Sequence, residues 1–203
     1  MSEITLTAGA TAVVVVDMQN DTVHPKGAFA ETGAAEHAIA QNVIPNVGQI
    51  LDAARAASVS VIHNRIVVYP NPAVGGANAP IFRMLGPESF AVGSWGAAIV
   101  DELAPQGDEL VLDRTRMSAF HGTALDVILR NLGVTDVVVV GAWTNMAVEH
   151  TVRDAADYGF AVTIVSDATS SLSSEWQNAA IGLALTNIAT IADTQSVVAA
   201  LTA

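Results

Sequence analysis

The chain contains no cysteine. That removes disulfides, thiolate metal sites and a thiol nucleophile from the chemistry open to it. Basic residues are scarce too: eight Lys and Arg stand against 20 Asp and Glu, for a formal net charge of −12. Such a surface repels nucleic acid and anionic membrane, so neither is expected as a partner. No apolar run reaches the roughly eighteen residues of a membrane-spanning helix. Met1 to Ala10 also lacks the basic, apolar and cleavage segments of a secretory signal. Neither GxGxxG nor a P-loop pattern occurs, so dinucleotides and nucleoside triphosphates are not indicated. These absences lead us to expect a soluble, cytoplasmic protein that needs no cofactor and acts on a small molecule.

What is present is a regular alternation of buried strands and helices over 203 residues, 51% of them hydrophobic. Residues 1–203 are expected to form a single domain. Thr11 to Val16, Val59 to Ile66, Leu110 to Asp113, Val137 to Val140 and Ala161 to Val165 read as strands, and Ile188 to Ile191 leads to a last one before Val197 to Leu201 closes the chain. Val43 to Ala57, Thr123 to Leu132 and Glu175 to Leu185 read as helices, and Phe90 to Leu103 as room for a short one. The pattern predicts an α/β fold: three αβα layers around a doubly wound, six-stranded, mostly parallel sheet. The irregular stretch from Val67 to Glu88, with four prolines and apolar Val74, Ile81, Phe82, Met84 and Leu85, suits a lid or an oligomer interface.

Ligands of such sheets bind beyond the carboxyl ends of the strands, where strand order reverses. Asp17, Arg114 and the stretch Gly141 to Ala147 all fall at strand ends. Thr144 is the expected N-cap of the helix that follows Gly141. A cap there places Asn145, Met146 and Ala147 in a first turn whose free N–H groups and dipole favour an anion or a thiolate. Ala147 brings no side-chain chemistry to that turn. Asp21 and His24 are expected to be loop residues, and Glu149 and His150 to serve capping and surface roles.

Three segments together carry a family resemblance: VVVVDMQND from Val13, RTRMSAFHGTALDVILRNLGV from Arg114, and GAWTNMAVEHTVRDAADYGFAVTIVSDATSS from Gly141. In this order, in register from Thr11 to about Ala192, they resemble the isochorismatase-like, or cysteine hydrolase, superfamily. The resemblance implies a three-layer αβα hydrolase. Its amidase members use an Asp, a Lys and a Cys. Asp17 matches the aspartate, Arg114 occupies the lysine position and Ala147 the cysteine position. Arginine carries a permanent charge and a planar fork suited to a carboxylate, so it is a poor proton shuttle. Alanine closes the thioester route. Members acting on the vinyl ether of isochorismate also lack the cysteine, although they keep the lysine.

The resemblance further implies a non-proline cis peptide at Ala142-Trp143. It also implies substrate contacts at Gln19, Trp95, Phe120, Ala142, Trp143, Thr144 and Met146, and assembly as a homodimer or homotetramer. His63-Asn64-Arg65 sits where nicotinamidase members carry a metal motif, and Asn64 cannot supply its aspartate, so no metal is expected. Lys26, the single lysine, is a remote replacement for the family lysine. The resulting expectation is hydrolysis of a vinyl ether or amide bond in a small, carboxylate-bearing metabolite. Asp17 would be proton donor or water-activating base, Arg114 the holder of the substrate acid, and the 141–147 backbone an anion cradle. The alternative is a silent member that binds a small acid without turning it over.

Overall fold

The computed structural model describes residues 4–203. Six strands, β1 Thr11–Val16, β2 Ser60–Ile66, β3 Leu110–Arg114, β4 Asp136–Ala142, β5 Ala161–Ser170 and β6 Thr190–Ala192, form one sheet. Their order is β3-β2-β1-β4-β5-β6, and every pairing is parallel. The sheet is wound outward in both directions from β1. Its switch point therefore lies between β1 and β4, the two strands that carry Asp17 and the Gly141 stretch to its carboxyl edge.

The unbroken apolar runs of β1 and β4 follow from burial on both faces. Val13, Val15, Val138 and Val140 join the core under the helices Ala34–Ala40, Val43–Ala56 and Thr194–Thr202. Val14, Val16, Val137 and Val139 join the opposite core under the helices Leu125–Asn131 and Glu149–Asp157. Each of these valines is worth about 2 kcal/mol on burial, and the alternation splits that gain between the two layers. Val43–Ala56 presents Val47, Ile50, Leu51 and Ala54 to the sheet, at the spacing expected of one helical face. Among the described residues, no helix is long and apolar enough to cross a membrane.

Several expected elements differ in detail. Phe90 to Leu103 holds no α-helix, only a 3-10 turn at Asp101–Leu103, because its backbone is drawn into bonds with the loop after β1: Asn20 N–H donates to Ala98 O and Asp21 N–H to Gly96 O. Val197 to Leu201 lies within the final helix, capped by Asp193, which accepts from Ser196 N–H. The helix after β5 starts at Ser174 on a Ser173 cap and passes into a π-helical turn at Ala180–Ala184.

β4 and β5 slip register between Val139 and Gly141. Gly141 has φ +119, and a Cβ built there would stand 2.0 Å from Val16 O on β1. Glycine alone allows the backbones of β1 and β4 to approach this closely at the switch point. Gly141→Ala is expected to lower stability by about 3 kcal/mol or more, or to prevent folding; urea denaturation of the purified variant measures it.

Candidate active site

Asp17 leaves β1 with φ +49, which turns its side chain back across the strand ends. Its carboxylate is 5% exposed and fully engaged from one side. Oδ1 accepts from Ile66 N–H at 2.9 Å and from Arg114 Nη1 at 2.6 Å, while Oδ2 accepts from Arg114 Nη2 at 2.8 Å. The register explains the meeting: Ile66 and Arg114 are paired at the ends of β2 and β3, and β2 lies next to β1. Nε and Nη2 of Arg114 also donate to Met117 O at 3.1 and 2.7 Å. Four of the five guanidinium N–H groups are thus spent inside the protein. Arg114, expected to hold a substrate acid, is thus engaged with Asp17 and Met117 O. Its side chain is buried and orients Asp17.

The facing wall comes from the end of β4. The Ala142-Trp143 peptide is cis. Trp143, not Thr144, occupies the N-cap position, and the turn Thr144–Val148 is π-helical before the α-helix Glu149–Asp157 begins. Thr144 does not cap, because its hydroxyl donates to Gln177 Oε1 at 2.5 Å. Trp143 O accepts from Met146 N–H and from Val148 N–H, stepping over the Ala147 N–H between them. Ala147 lines the cavity from this turn.

Asp17, Ala142, Trp143, Met146 and Ala147 come together around a cavity of about 30 Å³, completed by Thr22, Ile66, Phe90 and Met117. Ile81 and Leu85 close it from the short helix Pro80–Met84 and the residue after it. In this part of the Val67 to Glu88 stretch the apolar side chains face the cavity as a lid does, whereas Val74 and Met84 are exposed. Other expected contacts lie elsewhere. Gln19 is fully buried and bonds Ile66 and Ala97. Trp95 is 52% exposed and meets His24 edge-on. Phe120 packs beside Tyr158 and Phe160, and Lys26 is exposed in its loop. Thr22, Ile66, Phe90 and Met117 escaped sequence reasoning, since neither an apolar side chain nor a lone threonine carries a chemical signal until the fold gathers it.

Asp21 organises the loop, accepting from Ala28 N–H at 2.9 Å and Phe90 N–H at 2.7 Å. Trp143 Nε1 donates to Thr22 O at 3.4 Å, and its ring packs edge-on against Phe29. The loop after β1 and the turn after β4 are therefore held to each other around the cavity.

The isochorismatase domain model matches residues 11–196. The chain belongs to the isochorismatase family. It is 36% identical over 184 residues to a ureidoacrylate amidohydrolase RutB of Rhizobium rhizogenes, covering 82% of this chain and 72% of the relative. A protein of the same name from Stutzerimonas stutzeri is 33% identical, covering 92% and 79%. Among solved structures, a cysteine hydrolase from Pseudomonas syringae pv. phaseolicola superposes with a TM-score of 0.88 at 26% identity, covering 98% of this chain and 95% of that one. The N-carbamoylsarcosine amidase of Thermoplasma acidophilum gives 0.73 at 26% identity, covering 91% and 96%. This isochorismatase-family hydrolase thus has the fold of the cysteine hydrolases with alanine at the expected cysteine position and arginine at the expected lysine position.

His63 serves the framework. Its Nε2 lies 3.2 Å from Glu109 Oε2, which a second contact ties to Arg55, at the start of β3 and away from Asp17. Asn64 Nδ2 donates to Ala119 O. Burial opposes the charge on Glu109, but hydrogen bonds from Arg55, Gln106 N–H and His63 outweigh it and hold the carboxyl at about 2. Burial pushes His63 and His37 below the usual histidine value.

Two outcomes follow from these contacts. Arg114→Met leaves the Asp17 carboxylate buried without its partner and should cost about 3 to 5 kcal/mol in urea denaturation. In a pH series, His63 and His37 titrate below 6.5 when folded, so the unfolded chain takes up protons first as pH falls through 6.5. Stability should decline below that value, by up to about 1.4 kcal/mol per pH unit for each histidine. Glu109 adds a further loss between its ordinary value of 4.5 and about 2. A flat profile from pH 7 to 5 would contradict the burial of both rings.

Proposed function

We propose that this protein hydrolyses an amide-type C–N bond in a small, carboxylate-bearing metabolite by direct attack of water, with no covalent enzyme intermediate. One observation carries the reading: a buried Asp17 carboxylate, gripped by Arg114 and Ile66 N–H, lines the same cavity as Ala147 and the Ala142-Trp143 peptide. Every contact made to the Asp17 carboxylate is a donor, which keeps it ionised, and Oδ2 keeps one acceptor position open toward a water. Water attacks the carbonyl carbon and passes a proton to Asp17. The carbonyl oxygen takes up the negative charge against the backbone of the 142–147 turn, which lines the cavity. As the C–N bond breaks, the proton moves from Asp17 to the departing nitrogen, and the carboxylate is regenerated.

The names of the amidohydrolase relatives support a C–N bond over a vinyl ether C–O bond. A silent acid-binding protein is the second reading. It is favoured by an arginine at position 114 that shuttles no proton, by an alanine at position 147 that offers no nucleophile, and by the small size of the cavity. The reading keeps the expectation of a cytoplasmic homodimer or homotetramer, which light scattering at micromolar concentration checks.

A turnover screen over ureido acids, amides and vinyl ethers separates the readings. Wild type should release product from a ureido acid or amide, Asp17→Asn should be slower by about a hundredfold or more, and mass spectrometry during turnover should find no acylated enzyme. Binding without turnover of any class supports the silent reading. An acylated side chain overturns direct water attack.

A further inference from the structure

With Arg114 committed to Asp17, the acid group of the substrate requires another cation. We propose that Arg116 is that group, and that the groove beside the lid is the carboxylate subsite of the enzyme. Five of the eight basic residues are paired with carboxylates: Arg55, Arg65, Arg114, Arg130 and Arg153. Of the other three, Lys26 is exposed in the loop after β1 and Arg83 is exposed, donating to Ala77 O. Arg116 lines a groove of about 780 Å³ that shares Ile81, Met117 and Met146 with the Asp17 cavity. Those three side chains form the partition between the two spaces. A small metabolite whose scissile bond lies at Asp17 would cross this partition to bring its acid end toward Arg116.

The guanidinium is already oriented. Nη1 donates to Asn78 Oδ1 at 3.0 Å, and the group lies 4.7 Å over the Phe82 ring. Nε and Nη2 have no partner among the described residues, and together they make the fork edge that accepts both oxygens of a carboxylate. The groove also carries His121, His150 and one carboxylate, Asp154, which lies one helical turn beyond His150. Asp154 disfavours an acid on its own side and leaves Arg116 as the fixed positive group of the wall.

The position of the scissile bond rests on the hydrolase reading; the subsite itself does not. The test measures binding of ureidoacrylate, maleamate and N-carbamoylglycine, each beside its methyl ester, to wild type, Arg116→Gln, Arg116→Lys and Asn78→Ala, with thermal melts confirming that each variant is folded. Wild type should prefer at least one acid over its ester by about tenfold or more, Arg116→Gln should bring the pair within about twofold, and Arg116→Lys should keep part of the preference. Asn78→Ala, which loosens the lid and keeps the charge, should retain it. Where turnover occurs, Arg116→Gln should raise KM for the acid and leave kcat within about threefold. The proposal is overturned if no acid is preferred, if Arg116→Gln keeps the preference, or if Asn78→Ala loses as much of it. Arg116-dependent acid binding without turnover refutes the hydrolase reading alone. Turnover that treats acid and ester alike refutes the subsite alone.

Discussion

The Asp17–Arg114 pair is the constraint on which the rest of the site depends. Both groups are removed from water at the carboxyl edge of the sheet, and such a pair is tolerable only when nearly every donor and acceptor is satisfied. The bidentate fork, the Ile66 N–H and the Met117 carbonyl meet that condition. The pair spans β2 to tie the end of β1 to the end of β3. It also fixes the turn after Arg114, since Met117 must present its carbonyl to the guanidinium. The position of Arg116 follows from that turn. A lysine at 114 would supply one point charge and could not make the same four bonds.

Around that pair the apolar residues set size and access. The walls between the loop after β1 and the turn after β4 are closed by the bonds of Asp21 and by the Trp143 ring against Phe29. Ile81 and Leu85 seal the opening from a segment whose remaining side chains are mostly exposed. Thr115 and Arg116 hold that segment through Val74 O and Asn78. That segment is thus anchored by the same turn that the buried ion pair organises. Few buried contacts hold it, which places it at the low end of local stability.

Neither position 114 nor position 147 offers a nucleophile. Around the cavity stand a buried aspartate, the arginine that grips it and an alanine that offers no attacking side chain. The polar groups that remain belong mostly to the backbone, which substitution at Ala147 leaves in place. The direct-water reading proposed above rests on this composition of the site.

The sequence by itself determined the fold and the three positions of interest. Val13 to Val16 and Val137 to Val140 admit no solvent face, so they specify central parallel strands, and motif order placed Asp17, Arg114 and Ala147 at strand ends. Local signals fared worse where long-range bonds competed with them. Thr144 has cap chemistry, yet Gln177, 33 residues away, takes its hydroxyl. Phe90 to Leu103 has room for a helix, yet Asn20 and Asp21 claim its carbonyls. Only the tertiary structure decided that Arg114 faces Asp17 and that Trp95 and Phe120 lie away from the cavity while Thr22, Ile66, Phe90 and Met117 surround it. Strand identity is written in the burial of a single segment, whereas the partner of a charge or hydroxyl depends on which distant segment arrives beside it, and register and crossover settle that.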